Sequence, residues 1–182
     1  DVSDTGTLRG DRGRAALSVQ GEGNVEIALD GHNELKSGWY RAGLEKTSQA
    51  TGTLTLKDDN KEDDNKKAGS LTATGGFRGA GIGGQGKNEE LRPHPQETQE
   101  LYDASNITIT GGTVTATGGS FGAGIGGGNC GSGKNITING DTVTANGGYW
   151  GAGIGGGFAG SGEDIAITDG TVNAAGGGYG AG

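Results

Sequence analysis

The chain has 182 residues, 44 of them glycine, with two prolines, no methionine and a formal charge of −8. Glycine at this level, without a G-X-Y triplet and without abundant proline, excludes collagen and leaves either low complexity or a repeat architecture. The negative charge argues against nucleic acid or an anionic membrane surface as a partner; the single Cys130 excludes an internal disulfide, and no apolar run is long enough for a helix to insert in a bilayer.

From the N-terminus, GRAAL ending at Leu17 reads as the last segment of an incomplete unit. VEIAL from Val25 and WYRAGL ending at Leu44 supply the next. LTL at Leu54–Leu56 opens a third, continued by LTATGGFRGAGIGG with Leu71 and Ile82 eleven residues apart. The pattern then becomes regular. ITITGGTVTATGGSFGAGIGGG starts at Ile107, ITINGDTVTANGGYWGAGIGGG at Ile136 and IAITDGTVNAAGGGYGAG at Ile165, spaced 29 residues apart without a gap.

Each unit has three short apolar stations. ITIT alternates Ile107 and Ile109 with Thr108 and Thr110, as a strand with one buried face does. TVTA repeats the alternation through Val114 and Ala116, and GAGIGGG offers one isoleucine among small residues. Gly-Gly, Asn-Gly-Asp and Asp-Gly joints separate them, all tolerant of positive φ. One unit buries too little to be stable alone, whereas stacked units place like residues over like. The expected fold is all-β: a right-handed parallel β-helix, a three-sided solenoid of about five coils. The competing reading treats ING and ITDG as hairpin turns of a sandwich or propeller blade, but a blade needs about 40 residues or more.

The expected organisation is a single β-helix repeat domain over 1–182, reading as a fragment of a longer protein. Inserted loops interrupt it at 57–70 (KDDNKEDDNKKAGS) and 87–106 (KNEELRPHPQETQELYDASN). Pro93 and Pro95 rule out regular structure in the second loop, although QETQELYDA suits a short helical turn.

The GAGIGGG runs followed by GSGKNITI, with ITITGGTVTATGG between copies, resemble glycine-rich repeats of large secreted and cell-wall proteins of Gram-positive, often gut-dwelling, bacteria. The resemblance is close from Leu71 to Gly182 and loose before it. It implies an extracellular or cell-surface location, other domains of the same long chain as neighbours, and carbohydrate binding in some related modules, calcium-dependent pectin binders among them. No ligand residue transfers from those families to a position here.

The residues themselves offer several candidates. Asn24, Asn106, Asn135 and Asp164 precede the first strand of four units, with Thr53 in the remaining one. This column suits a ladder of side-chain amides satisfying turn backbones better than it suits calcium, which needs more oxygen ligands and more charge. Aromatic residues gather before the GAG motif, with Tyr40, Phe121, Trp150 and Tyr179 in one column beside Arg78, and Trp39, Phe77 and Tyr149 in the column before it. Such a stripe suits stacking against successive sugars of a polysaccharide or host glycan. It equally suits rings shielding a glycine-rich corner from water. If sugars stack on it, Trp150→Ala abolishes binding while the fold survives.

Outward threonines such as Thr113, Thr142 and Thr171 raise ice binding as a remote alternative. A polysaccharide lyase acting on acidic glycans is a further one, with Glu163, Asp164 and Asp169 near Asp141 as a calcium cluster. It lacks basic partners, since Lys134 is the only Lys or Arg in residues 107–182. His32 and His94 are isolated, and the acids Asp58, Asp59, Glu62, Asp63 and Asp64 lack the sixth-position glycine of an EF-hand. The expectation is a non-catalytic scaffold or adhesin with no catalytic residues and no required cofactor, calcium being the one ion considered.

Overall fold

A computed structural model describes residues 13–59, 68–87 and 98–182. The strands are β1 (Leu17–Ser18), β2 (Val25–Leu29), β3 (His32–Lys36), β4 (Leu44–Glu45), β5 (Leu54–Asp58), β6 (Ser70–Thr74) and β7 (Ile82–Gly83). They continue as β8 (Ala104–Ile109), β9 (Thr113–Thr117), β10 (Ile125–Gly126), β11 (Gly133–Asn146), β12 (Ile154–Gly155) and β13 (Gly162–Ala175). A 3-10 turn at Gln99–Leu101 falls where the second insertion suits a helical turn.

Every pairing between these strands is parallel and joins one coil to the next. The first side runs β2, β5, β8, then the leading halves of β11 and β13. The second runs β3, β6, β9, then the trailing halves of β11 and β13. The third is β1, β4, β7, β10 and β12. The chain is therefore a three-sided parallel β-helix, and the hairpin alternative is excluded because the segments around ING and ITDG run on within single long strands.

Registers hold identical stations in line. Ile107 faces Ile136, which faces Ile165, and Leu54 aligns with Ile107 across the insertions. On the third side Leu17, Leu44, Ile82, Ile125 and Ile154 form one column. Leu44, Leu54, Leu56, Ile82, Ile107, Ile109, Ile125, Ile136 and Ile138 are completely buried. Each such side chain contributes about 1.5–3 kcal/mol by leaving water. The narrow second side takes alanine at Ala73, Ala116 and Ala145, all without exposure.

One strand was not evident from the sequence. β3 presents HNELK, in which Asn33 occupies the station filled by Leu71 and Val114 in later coils. Its side-chain amide donates to the carbonyl oxygens of Asp30 and Ser70, so the polar group is satisfied where an apolar one is expected. The segments 60–67 and 88–97, with Glu62, Asp63, Asp64, Pro93, His94 and Pro95, lie outside the described residues.

Glycine serves mainly as a spacer between coils. A Cβ on Gly119 would overlap the carbonyl oxygen of Gly76, one on Gly148 that of Gly119, and one on Gly177 that of Gly148. A second column, Gly79, Gly122, Gly151 and Gly180, is crowded in the same way by the coil before it. Positive φ matters at a third column, where Gly83, Gly126 and Gly155 repeat φ of 134°, 133° and 132°. Gly148→Ala is expected to lower unfolding stability by about 1–3 kcal/mol or more through overpacking against backbone that has no room to give. Gly23→Ala, facing open space, is expected to stay within about 0.5 kcal/mol of the parent. Urea unfolding of the two variants measures the difference.

Candidate functional site

The corner between the second and third sides carries the aromatic residues. Each of the later coils leaves its second strand through a Gly-Gly pair, presents one or two large side chains, and turns back through Gly-Ala-Gly, while the coil between β3 and β4 uses Ser37-Gly38 and Arg41-Ala42-Gly43. Because the coils are in register, these side chains form two rows. The inner row is Tyr40, Arg78, Phe121, Trp150 and Tyr179; the outer holds Trp39, Phe77 and Tyr149, interrupted by Ser120 and Gly178.

All seven ring residues named from the sequence belong to one connected set. Trp39 lies 5.3 Å from Phe77, Phe77 lies 5.5 Å from Phe121, and Tyr149 lies 5.4 Å from Tyr179 between ring centroids. In the inner row the rings lie almost parallel, Phe121 against Trp150 at 7° and Trp150 against Tyr179 at 13°, the latter 4.3 Å apart. Arg78 takes the place of a ring, its guanidinium carbon 5.4–5.8 Å from the centroids of Tyr40, Phe77 and Phe121.

The two rows differ in what they offer a ligand. Tyr40 is buried, and Phe121 and Trp150 are partly covered by neighbouring rings. Trp39 is 46%, Tyr149 56% and Tyr179 67% exposed, and Phe77 is similarly open. Trp150 thus packs against Phe121, Tyr149, Phe158 and Tyr179, which makes it a structural ring more than a contact surface.

Phe158 is a further member that the column pattern does not reveal. It belongs to the joint after the third side, one coil beyond Asn129, and touches Phe121 and Trp150 edge-on at 5.8 and 5.6 Å. A lone aromatic in the glycine run GGGFAGSG was its signal.

The other columns behave as stacked turns. Asn106, Asn135 and Asp164 all adopt left-handed φ of 51–58°, and the Asn135 side-chain amide donates to Asn106 Oδ1 at 3.2 Å. Asn106 donates to the Thr51 carbonyl, and Asn24 Oδ1 accepts from the Thr53 backbone N–H. Asn24, Asn106 and Asn135 are thereby tied to neighbouring coils. Lys134 pairs with Glu163 at 3.3 Å on the surface, and Ser161 also donates to Glu163. Among the described residues no three or more His, Cys, Asp or Glu side chains are grouped as metal ligands.

A family model described as a beta helix repeat matches residues 67–87, 107–129 and 136–158. Three stretches of the chain are similar to that repeat. The stretches at 107–129 and 136–158 each run from a first-side strand through the aromatic corner and the third side, and the one at 67–87 joins β6 to β7; they include Phe77, Phe121, Tyr149 and Trp150, while Trp39, Tyr40 and Tyr179 lie outside them. No curated protein and no solved structure matches the chain.

One corner departs from the repeat. Where later coils read GAGIGG, the coil ending in β4 reads RAGLEK, so Arg41, Glu45 and Lys46 replace three glycines. Lys46 is fully buried and donates to the carbonyl oxygens of Ala50 and Ser105; burial pulls its ammonium below the usual lysine range. Glu45 is 4% exposed and accepts from Arg41 Nη2 at 2.6 Å. Burial raises its pKa from the ordinary 4.5, with the Arg41 charge opposing the shift.

Two outcomes follow from these contacts. Trp150→Ala is expected to cost about 1–3 kcal/mol in urea unfolding, the sum of lost apolar burial and ring packing. Because the folded state holds the Glu45 proton more tightly than the unfolded state, folding takes up a proton. Its contribution is complete below pH 4.5 and is lost as pH rises through the raised folded value. Subtracting the pH–stability curve of Glu45→Gln from that of the parent is expected to leave a fall with rising pH above 4.5; a flat difference would contradict it.

Proposed function

We infer that this β-helix is a non-catalytic module of an extracellular or cell-surface bacterial protein, a rigid scaffold that binds carbohydrate along its aromatic ridge. The observation carrying this reading is the set of exposed rings, Trp39, Phe77 and Tyr149 with Tyr179, aligned along one corner of the solenoid and broken once at Ser120. Apolar ring faces suit the C–H faces of pyranoses, and a repeat of nearly constant rise suits a chain ligand whose own units repeat. The underlying row of stacked rings gives that surface a firm bed, so little side-chain freedom is lost on binding. Isolated exposed aromatics need no explanation, but several aligned on one corner favour a contact surface.

The scaffold reading and the adhesin reading separate on one experiment. A glycan array probed with and without calcium is expected to show binding to extended polysaccharides in both conditions, lost in a Trp39→Ala, Tyr149→Ala double variant whose thermal unfolding midpoint stays near that of the parent. A blank array removes the adhesin role and leaves the scaffold. Binding that disappears on chelation assigns the contact to a metal and not to the rings.

A further inference from the structure

The outer row of the ridge alternates. Its positions hold Trp39, Phe77, Ser120, Tyr149 and Gly178, so from Phe77 onward each ring is followed in the next coil by a small residue. Two coils separate Phe77 from Tyr149, about 9.6 Å at the usual strand spacing. Gly178 makes room for the ring of the coil before it: a Cβ there would come within 3.1 Å of Tyr149. Trp39, tilted 38° against Phe77, enlarges the first of the two ring surfaces.

These two rings also differ in attitude from the row beneath. Trp150 and Tyr179 stack face to face at 4.3 Å, close to the rise of one coil, so the normals of their planes run along the solenoid axis. Phe121 is parallel to Trp150 within 7°. Phe77 stands at 81° to Phe121, and Tyr149 at 85° to Trp150. The planes of Phe77 and Tyr149 therefore run lengthwise, and their faces point across the axis. With 39% and 56% exposure, both are open to solvent. A chain stacked on those faces has to lie parallel to the axis. The inner rings, set crosswise, give such a chain only their edges.

This spacing narrows the ligand. A pyranose chain joined 1,4 through equatorial bonds is extended and nearly flat, and its ring planes contain its long axis. Successive sugars are turned over, so the same face recurs at every second sugar. Two such sugars span nearly the two-coil distance between Phe77 and Tyr149. Axial linkage winds the chain and 1,3 linkage curves it, so neither lines up equivalent faces at this interval. A net charge of −8 disfavours a polyanion. We propose that the ridge binds a neutral, extended β-1,4-linked polysaccharide running parallel to the solenoid axis, with alternate sugars stacked on Phe77 and Tyr149 and the intervening one over Ser120. This rests on the reading of the ridge as a carbohydrate surface, and adds the linkage and direction of the bound chain.

Isothermal titration of the chain with hexasaccharides tests the proposal. At least one of cellohexaose, mannohexaose and N-acetylchitohexaose is expected to bind about tenfold more tightly than maltohexaose and laminarihexaose. Along the shorter oligomers of that ligand, affinity is expected to rise about tenfold from the disaccharide, which reaches one ring, to the tetrasaccharide, which reaches both. Phe77→Ala and Tyr149→Ala are each expected to abolish that step, while Tyr149→Phe keeps it. Phe77→Leu, which retains apolar bulk without a flat face, is expected to abolish it too and serves where the alanine variant does not fold. A step that survives in folded Phe77→Leu, or a wound or curved hexasaccharide bound as tightly as the extended ones, overturns the proposal and leaves a carbohydrate surface of another specificity. No binding of any of the five overturns it as well; a blank glycan array besides removes the reading of the ridge itself.

Discussion

Backbone meets backbone at the corners of this protein, and the absence of side chains there governs everything else. Parallel strands on three sides sit about 4.8 Å apart. The turns joining them must approach equally closely if the strands are to remain paired. At Gly76, Gly119, Gly148 and Gly177 the approach leaves no room for a Cβ. The corner columns thus set the pitch at which Ile107, Ile136 and their counterparts pack in the interior. The core of this β-helix is thin, one to two apolar side chains per side in each coil, so it depends on that pitch being constant.

The same constraint explains where the large residues go. Rings excluded from the glycine corners gather beside them, and register then stacks them on their counterparts in neighbouring coils. Phe121, Trp150 and Tyr179 cover one another while Trp39, Phe77 and Tyr149 remain open. A packed row and a contact row thus arise from adjacent positions in one motif. The distinction belongs to their neighbours: Ser120 and Gly178 interrupt the outer row and leave its rings uncovered.

Much of the architecture was legible because stacking makes sequence periodic. Leu54 aligning with Ile107 and Leu17 with Leu44 both followed from the pattern, across insertions that change the spacing. β3 was hidden because Asn33 fills an apolar station and satisfies itself locally. The aromatic columns were visible in the sequence, but their division into packed and exposed rows depends on ring orientation, which no spacing encodes. Arg41, Glu45 and Lys46 passed unnoticed for a different reason. Periodicity draws the eye to what recurs, whereas these residues matter as an exception to it, and the mismatch of RAGLEK with GAGIGG was their signal.

The unbroken 29-residue offset between Ile107, Ile136 and Ile165 also bears on how such a chain can change over generations. Duplicating one whole coil inserts a copy whose upper and lower neighbours are equivalents of those it left. Interior columns, corner glycines and ring rows would all be extended by one member without a new kind of contact. Length becomes a variable that recombination can alter in whole steps, while a fractional step would throw every column out of line. The singular corner at Glu45 does not scale in this way, so lengthening the solenoid would multiply the ridge and leave the charged corner single.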